Sequence, residues 1–310
     1  MHTIKSSTLS ATFSDFGARL LACETGGIDV VFGSTLNDAD SDIWDNSAGT
    51  TVGRHAGRIS GSKFTLDGTE YKLTPNRDGY QLHGGPHGFG NQTWNAKPSA
   101  SEIEFTLVSP DGDQGFPGEV LAKAVYGVKD NMMWAEISAT SNKPTVINLT
   151  NHAYWNLAGP SAGKDSAFAQ EVMINAGHTL VTDKDLLPSG EMASVKGTRF
   201  DFRKLRAVAG AYDHCFCLDG TRGTLHHALT LRDPVSGRTM EVWTSECAIQ
   251  FYTAIHWNKK IPGKGQPLAQ HQAIAIEPQN VPDAPNHPHF PSSILRPGIT
   301  YRNRIEWRFS

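Results

Sequence analysis

A glutamate that closes an apolar run and is followed at once by proline, Ala273-Ile274-Ala275-Ile276-Glu277-Pro278-Gln279, places a carboxylate where it could accept a proton. Read as a strand, the run sends Ala273, Ala275 and Glu277 to one face and Ile274 and Ile276 to the other, because side chains alternate with period two. Pro278 cannot donate to a ladder and biases Glu277 toward an extended backbone. The strand is therefore expected to end here and give way to the proline-rich Val281-Pro282-Asp283-Ala284-Pro285-Asn286. A carboxylate at a strand mouth can reach a ligand; a solvent-facing strand-end glutamate is the plain alternative.

The second segment with chemistry in it is Asn148-Leu149-Thr150-Asn151-His152-Ala153-Tyr154-Trp155-Asn156-Leu157. As an extended chain it puts Asn148, Thr150, His152, Tyr154 and Asn156 on one face. That face holds amides, a hydroxyl, an imidazole and a phenol, but none of the Lys, Glu and Arg usual on a solvated sheet. Such a mixture suits a polyhydroxylated ligand. Three weaker candidates follow. His83 stands in the turn-rich Gln81-Leu82-His83-Gly84-Gly85-Pro86, where two glycines allow backbone to approach a ligand. Asp213, in Tyr212-Asp213-His214, is a lone acid among aromatics, either a turn former or a ligand contact. Arg54 and Arg58, in Gly53-Arg54-His55-Ala56-Gly57-Arg58-Ile59, read on their own as solvated charges at a bend.

Other chemistries lose their support. His287-Pro288-His289 has a metal-ligand spacing, but Pro288 breaks the strand such a site needs, and His226-His227 would point to opposite faces if extended. No bound metal is expected. The sequence has no Gly-x-Gly-x-x-Gly opening a helix, no phosphate-binding Walker loop and no Gly-x-Ser-x-Gly elbow, so nucleotide cofactors and serine hydrolysis are not expected either.

The elements that must hold these residues are strands. Lys63–Leu66 and Thr69–Leu73 flank Asp67-Gly68, the strongest short hairpin signal there is. Alternating runs recur at Glu102–Val108, Ala122–Val128, Met132–Ala139, Ala228–Leu231, Thr239–Trp243 and Arg304–Phe309, and no segment sustains a helical apolar stripe for three turns. With 30 Gly and 17 Pro lying mostly between the runs, the chain reads as all-β, a sandwich or barrel, and as one domain over residues 1–310. A net charge of -3 with no basic stripe excludes nucleic acid as a partner. No apolar run can span a bilayer and the start lacks a leader pattern, so neither a membrane nor export is expected. Cys23, Cys215, Cys217 and Cys247 form no metal or redox motif and read as reduced thiols, in keeping with a cytoplasmic address.

Taken in order, eight stretches resemble the aldose 1-epimerase family, the galactose mutarotases. They are Gly53-Arg54 to Arg58-Ile59, Leu82-His83-Gly84-Gly85-Pro86, Asn148-Leu149-Thr150-Asn151-His152, Leu187-Pro188-Ser189-Gly190-Glu191, Gly197-Thr198 to Phe200-Asp201-Phe202-Arg203, Tyr212-Asp213-His214, Gln250-Phe251-Tyr252-Thr253 and Pro282-Asp283-Ala284-Pro285-Asn286. The resemblance spans nearly the whole chain. It implies a large antiparallel β-sandwich with an open sugar cleft. It also implies Glu277 as base, His152 as acid, His83, Arg58, Asp213 and Gln250 as residues that hold a monosaccharide, and no cofactor. Two positions depart from the family's habit: Gly57 stands where asparagine is common before the arginine, and Ala254 where glycine is common after Gln-Phe-Tyr-Thr. Both bear on which sugar is preferred; neither removes a proton-transferring group.

Interconverting α and β anomers requires deprotonating the C1 hydroxyl while protonating the ring oxygen, so acid and base must act together. Two other functions would fit the same scaffold. A hexose-phosphate epimerase would need a cationic pocket, for which Arg54, Arg58 and His87 are the clustered candidates. A non-catalytic sugar sensor would be expected to lack the acid or the base, and this chain has both.

Overall fold

The computed structural model describes residues 1–33, 47–258 and 261–310. Among them the regular elements are strands and 3₁₀ turns of three or four residues. Two large antiparallel sheets dominate. The first has nine strands in the order Asn95–Pro98, Glu102–Ser109, Val120–Lys129, Met132–Ser141, Tyr301–Phe309, Thr239–Thr244, His226–Arg232, Glu171–Ile174 and Arg206–Ala207. The second has seven, in the order Pro188–Ser194, His178–Thr182, Asp213–Cys217, Ala248–Tyr252, Ile274–Gln279, Tyr154–Trp155 and Val31–Phe32. A four-stranded sheet of His2–Lys5, Leu9–Ser14, Arg19–Thr25 and Ile28–Asp29 packs on the first sheet, Phe13 meeting Phe105 and Tyr126.

Period-two alternation makes the sandwich. Glu102–Ser109 buries Ile103, Phe105 and Leu107, with Phe105 6.1 Å from Phe13 of the four-stranded sheet, and Tyr301–Phe309 buries Ile305, Trp307 and Phe309, with Trp307 5.8 Å from Trp155 of the second sheet. Each large buried side chain contributes roughly 1.5–3 kcal/mol on leaving water. The expected hairpins form with small changes of length. At Lys63–Leu66 and Thr69–Lys72 the turn residues Asp67 and Gly68 both take positive φ, at 50° and 81°, which matches the right-handed twist of the flanking strands.

Two expectations need correction. Pro278 does not end its strand, which runs Ile274–Gln279 with Pro278 opposite Ile249. In an antiparallel strand a residue's nitrogen and carbonyl point to the same side. The Pro278 carbonyl accepts from Thr150 Oγ1 and Asn303 Nδ2, so the imino nitrogen faces those side chains and no ladder bond is missing. Residues 148–157 do not form one strand either. They make two short strands, Thr150–Asn151 paired with Thr51–Val52 and Tyr154–Trp155 paired with both Val31–Phe32 and Ile274–Ala275, with His152 and Ala153 between them outside any strand.

Candidate active site

Three neighbouring strands of the seven-stranded sheet build the floor. Their register sets Gln250 opposite both Cys215 and Glu277, and Tyr252 opposite both Asp213 and Ala275. All of these side chains rise from one face. On the other face Ile274 and Ile276 are locked into the sandwich core, so Glu277 stands on a strand packed from below. Ala273 and Ala275 join Tyr154, Tyr252 and Trp257 in a second apolar cluster beside it. Alternation therefore positions Glu277 as the sequence implies, but buried: it is 1% exposed, and His152 is 4% exposed.

A cleft of about 320 Å³ opens above this floor, lined among others by Arg58, His83, His152, Asp213, Gln250 and Glu277. The six candidate residues therefore converge on one cavity although 219 positions separate the first from the last. His152 Nε2 lies 3.4 Å from Glu277 Oε1. The His152 ring stacks on Tyr154 at 5.1 Å and meets the edge of His83 at 5.2 Å. Asp213 accepts from Gln250 Nε2 at 2.5 Å and from Arg58 Nη2 at 3.2 Å. Burial opposes the Arg58 charge, but Asp213 and Tyr80 outweigh it and hold the guanidinium above its ordinary range. His83 is pushed well below the ordinary imidazole range, first by burial and then by His152, Arg58, Arg77 and His55.

The proline-rich loop after Gln279 positions Arg58. Asp283 accepts from the Ser60 amide at 3.1 Å and Ser60 Oγ at 2.6 Å, and its own amide donates to the Arg58 carbonyl at 2.8 Å. His83 comes from a loop that approaches the Gly53 carbonyl so closely that a Cβ on Gly84, at φ +86°, would lie 1.9 Å from it. Glycine is required there.

The polar face read along residues 148–156 is divided. His152 and Tyr154 line the cleft. Asn148 instead donates to the Ala56 and Asn280 carbonyls, Thr150 to the Pro278 carbonyl, and Asn156 to the Gln272 carbonyl, all inside the fold. Trp155 and Phe251 belong to the core. Sequence reasoning missed Tyr80, Arg77, Tyr252 and His256, which also line the cleft. Tyr252 was within reach, since it alternates with Gln250; Arg77 and Tyr80 carry no periodic signal. The cations proposed for a phosphate do not converge. Arg54 is buried and donates to Ser109 Oγ and to the carbonyls of Ser109, Pro110 and Pro117, while His87 is exposed. His287 and His289 make no metal pair, facing Asp283 at 3.4 Å and the Gly190 carbonyl at 2.7 Å respectively.

A β-sandwich that holds a buried imidazole and carboxylate side by side, ringed by oriented hydrogen-bonding groups, defines a class of protein that handles small polyhydroxylated ligands in an open cleft. The aldose 1-epimerase family model matches residues 1–308. Galactose mutarotase of Bos taurus is 39% identical over 276 residues, covering 84% of this chain and 78% of its own, and aldose 1-epimerase of Escherichia coli K12 is 33% identical over 319 residues, covering 96% and 91%. The solved structure of an aldose epimerase homologue from C. elegans superposes with a TM-score of 0.91 at 32% identity, covering 99% of this chain and 98% of that one. The chain belongs to the aldose 1-epimerase family. Among its described residues no helix is long and apolar enough to cross a membrane.

Proposed function

We propose that this protein is an aldose 1-epimerase that interconverts the α and β anomers of a free monosaccharide such as galactose or glucose, with Glu277 as base and His152 as acid. The observation that carries the reading is the 3.4 Å approach of His152 Nε2 to Glu277 Oε1 within a cleft whose wall is the Asp213, Arg58 and Gln250 cluster. O1 and O5 of a pyranose are bonded to the same carbon, so the groups that serve them must be neighbours. Glu277 removes the O1 proton while His152 protonates O5, the C1–O5 bond breaks, and the aldehyde forms. Rotation about C1–C2 exposes the other carbonyl face. Closure then returns the proton from Glu277 to O1 and from O5 to His152. Only protons move, so an acid and a base suffice, each supplying roughly 10² to 10⁴ in rate.

Asp213 accepts from sugar hydroxyls remote from C1, and Arg58, Gln250 and His83 donate to them, keeping the open-chain form in place while it rotates. Four free thiols support a reducing, cytoplasmic setting, and one core cluster running from Ile4 to Phe309 supports a single domain. The test is polarimetry of freshly dissolved α-D-galactose and α-D-glucose with the wild type and Glu277→Gln. Accelerated mutarotation that falls by at least about 10² in the variant, while calorimetry still detects sugar binding, is expected. Full activity in the variant would move the base elsewhere.

A further inference from the structure

His83, His152 and Glu277 form the one group of three metal-ligand-type side chains among the described residues, with a candidate ligand atom of each within 4.8 Å of the others. Two imidazoles and a carboxylate are also the composition of a catalytic zinc site. One main-chain contact decides between a metal site and a different role. The Gly57 amide lies 3.2 Å from His83 Nδ1 with its hydrogen directed at that nitrogen. In return the His83 amide donates to the Gly57 carbonyl at 3.1 Å. Two reciprocal bonds thus tie the imidazole to its neighbouring loop.

We infer that the Gly57 amide fixes His83 as the neutral tautomer with its hydrogen on Nε2, making His83 a stationary hydrogen-bond donor in the cleft and withholding it from proton transfer and from metal ligation. A backbone N–H can only donate, so Nδ1 must offer its lone pair, and the single hydrogen of the neutral ring resides on Nε2. A second proton would go on Nδ1 and set two N–H groups against each other. Metal ligation fails for the same reason: an Nε2 ligand needs its lone pair free and the hydrogen moved to Nδ1, where histidine ligands ordinarily find an acceptor rather than a donor. The charged and titratable neighbours, Arg58, Arg77, His152, His55 and Glu277, surround the ring, and burial with the cationic neighbours disfavours imidazolium in the same direction.

Gly57 is the positioning residue. It sits at φ +78° with Pro282 so near that an added Cβ would lie 2.8 Å from Pro282 Cβ, and its carbonyl is held by the His83 amide. The two histidines of the cleft thereby take different parts: His152, beside the carboxylate, transfers the proton, and His83 stays neutral and offers one N–H to the sugar. The part assigned to the sugar rests on the mutarotase reading; the tautomer does not.

The experiment is long-range ¹H–¹⁵N correlation on histidine-labelled protein without sugar, with His83 assigned by comparison with His83→Gln. A protonated, pyrrole-type Nε2 and a bare, pyridine-type Nδ1 that persist from about pH 8 to pH 5.5, and do not move on addition of zinc chloride, are expected. An Nδ1–H tautomer, an imidazolium titrating within that range, or zinc-induced loss of the Nε2 hydrogen would each overturn the inference. These readings hold whether or not the protein turns over any sugar. Polarimetry adds the donor test: His83→Gln, whose amide N–H extends toward the place of Nε2–H, keeps the catalytic constant within about tenfold of wild type, whereas His83→Leu loses roughly a hundredfold or more. Equal loss in both variants would remove the donor role.

Discussion

Arg54 and Arg58 are four residues apart in one loop and have opposite fates. Arg54 turns into the protein, where four acceptors on the Ser109–Pro117 loop take its guanidinium and burial lowers its pKa to about 10 against the pull of Asp113 and Asp111. Arg58 turns into the cleft, where it meets Asp213 at 3.2 Å beside a polar wall. The same division separates Asn148 and Thr150, committed to backbone carbonyls, from His152 and Tyr154 on the cleft. Residue type does not tell the two groups apart. What does is whether the side chain turns toward interior backbone carbonyls or into the cleft.

The comparison can be broken by substitutions on either side of it. On the cleft side, His152→Asn is expected to lower the catalytic constant by roughly 10² to 10⁴ and to raise the Michaelis constant far less; the reverse pattern in steady-state polarimetry would make His152 a binding group. On the interior side, Arg54→Met orphans buried acceptors and is expected to remove about 1–3 kcal/mol of stability for each one left without a partner, read in denaturant titrations. The folded enzyme should keep its Michaelis constant, and a large rise there would give Arg54 a place in the site. Asp213→Asn should raise the Michaelis constant by roughly ten- to a hundredfold, the size of a lost charge-assisted hydrogen bond, with a smaller change in turnover.

A separate effect, on stability against pH, concerns His55, buried on the interior side and depressed from 6.5 to about 3, chiefly by burial and against a contact with Ala56. Its folded pKa lies below its unfolded one, so the unfolded chain binds the extra proton first. Stability from this group is complete above about pH 6.5 and is lost as the pH falls toward the folded value, by about 2–3 kcal/mol at pH 4.5. Denaturant midpoints for His55→Leu should fall less between pH 7 and 4.5 than those of the wild type; parallel curves would exclude His55 as the origin of the acid sensitivity.

Much of this was legible in the chain. Alternation placed Ile274 and Ile276 on the face opposite Glu277, the Asp-Gly pair marked its hairpin, and the ordered motifs named six of the residues that meet in the cleft. Strand pattern failed where three-dimensional context overrode it. Pro278 continues its strand because side chains rather than a ladder partner face its nitrogen, and the Asn148–Asn156 run is interrupted at His152 and Ala153, a break no period-two reading contains. Tyr80 reaches the cleft from the short strand Tyr80–Leu82, paired with Arg58–Ser60, and Arg77 from the turn before it, where position depends on the whole fold. The departure at Ala254 also becomes intelligible: its φ of 49° is left-handed, a conformation glycine adopts at no steric cost and alanine adopts under strain.

The strand bearing Glu277 is wedged between two apolar clusters, while Arg77 and Tyr80 stand half-buried along the same cleft. A lineage of such proteins can therefore exchange those outer residues without retooling the chemistry beneath. Innovation is cheap at the lip of the cleft and forbidden at its base.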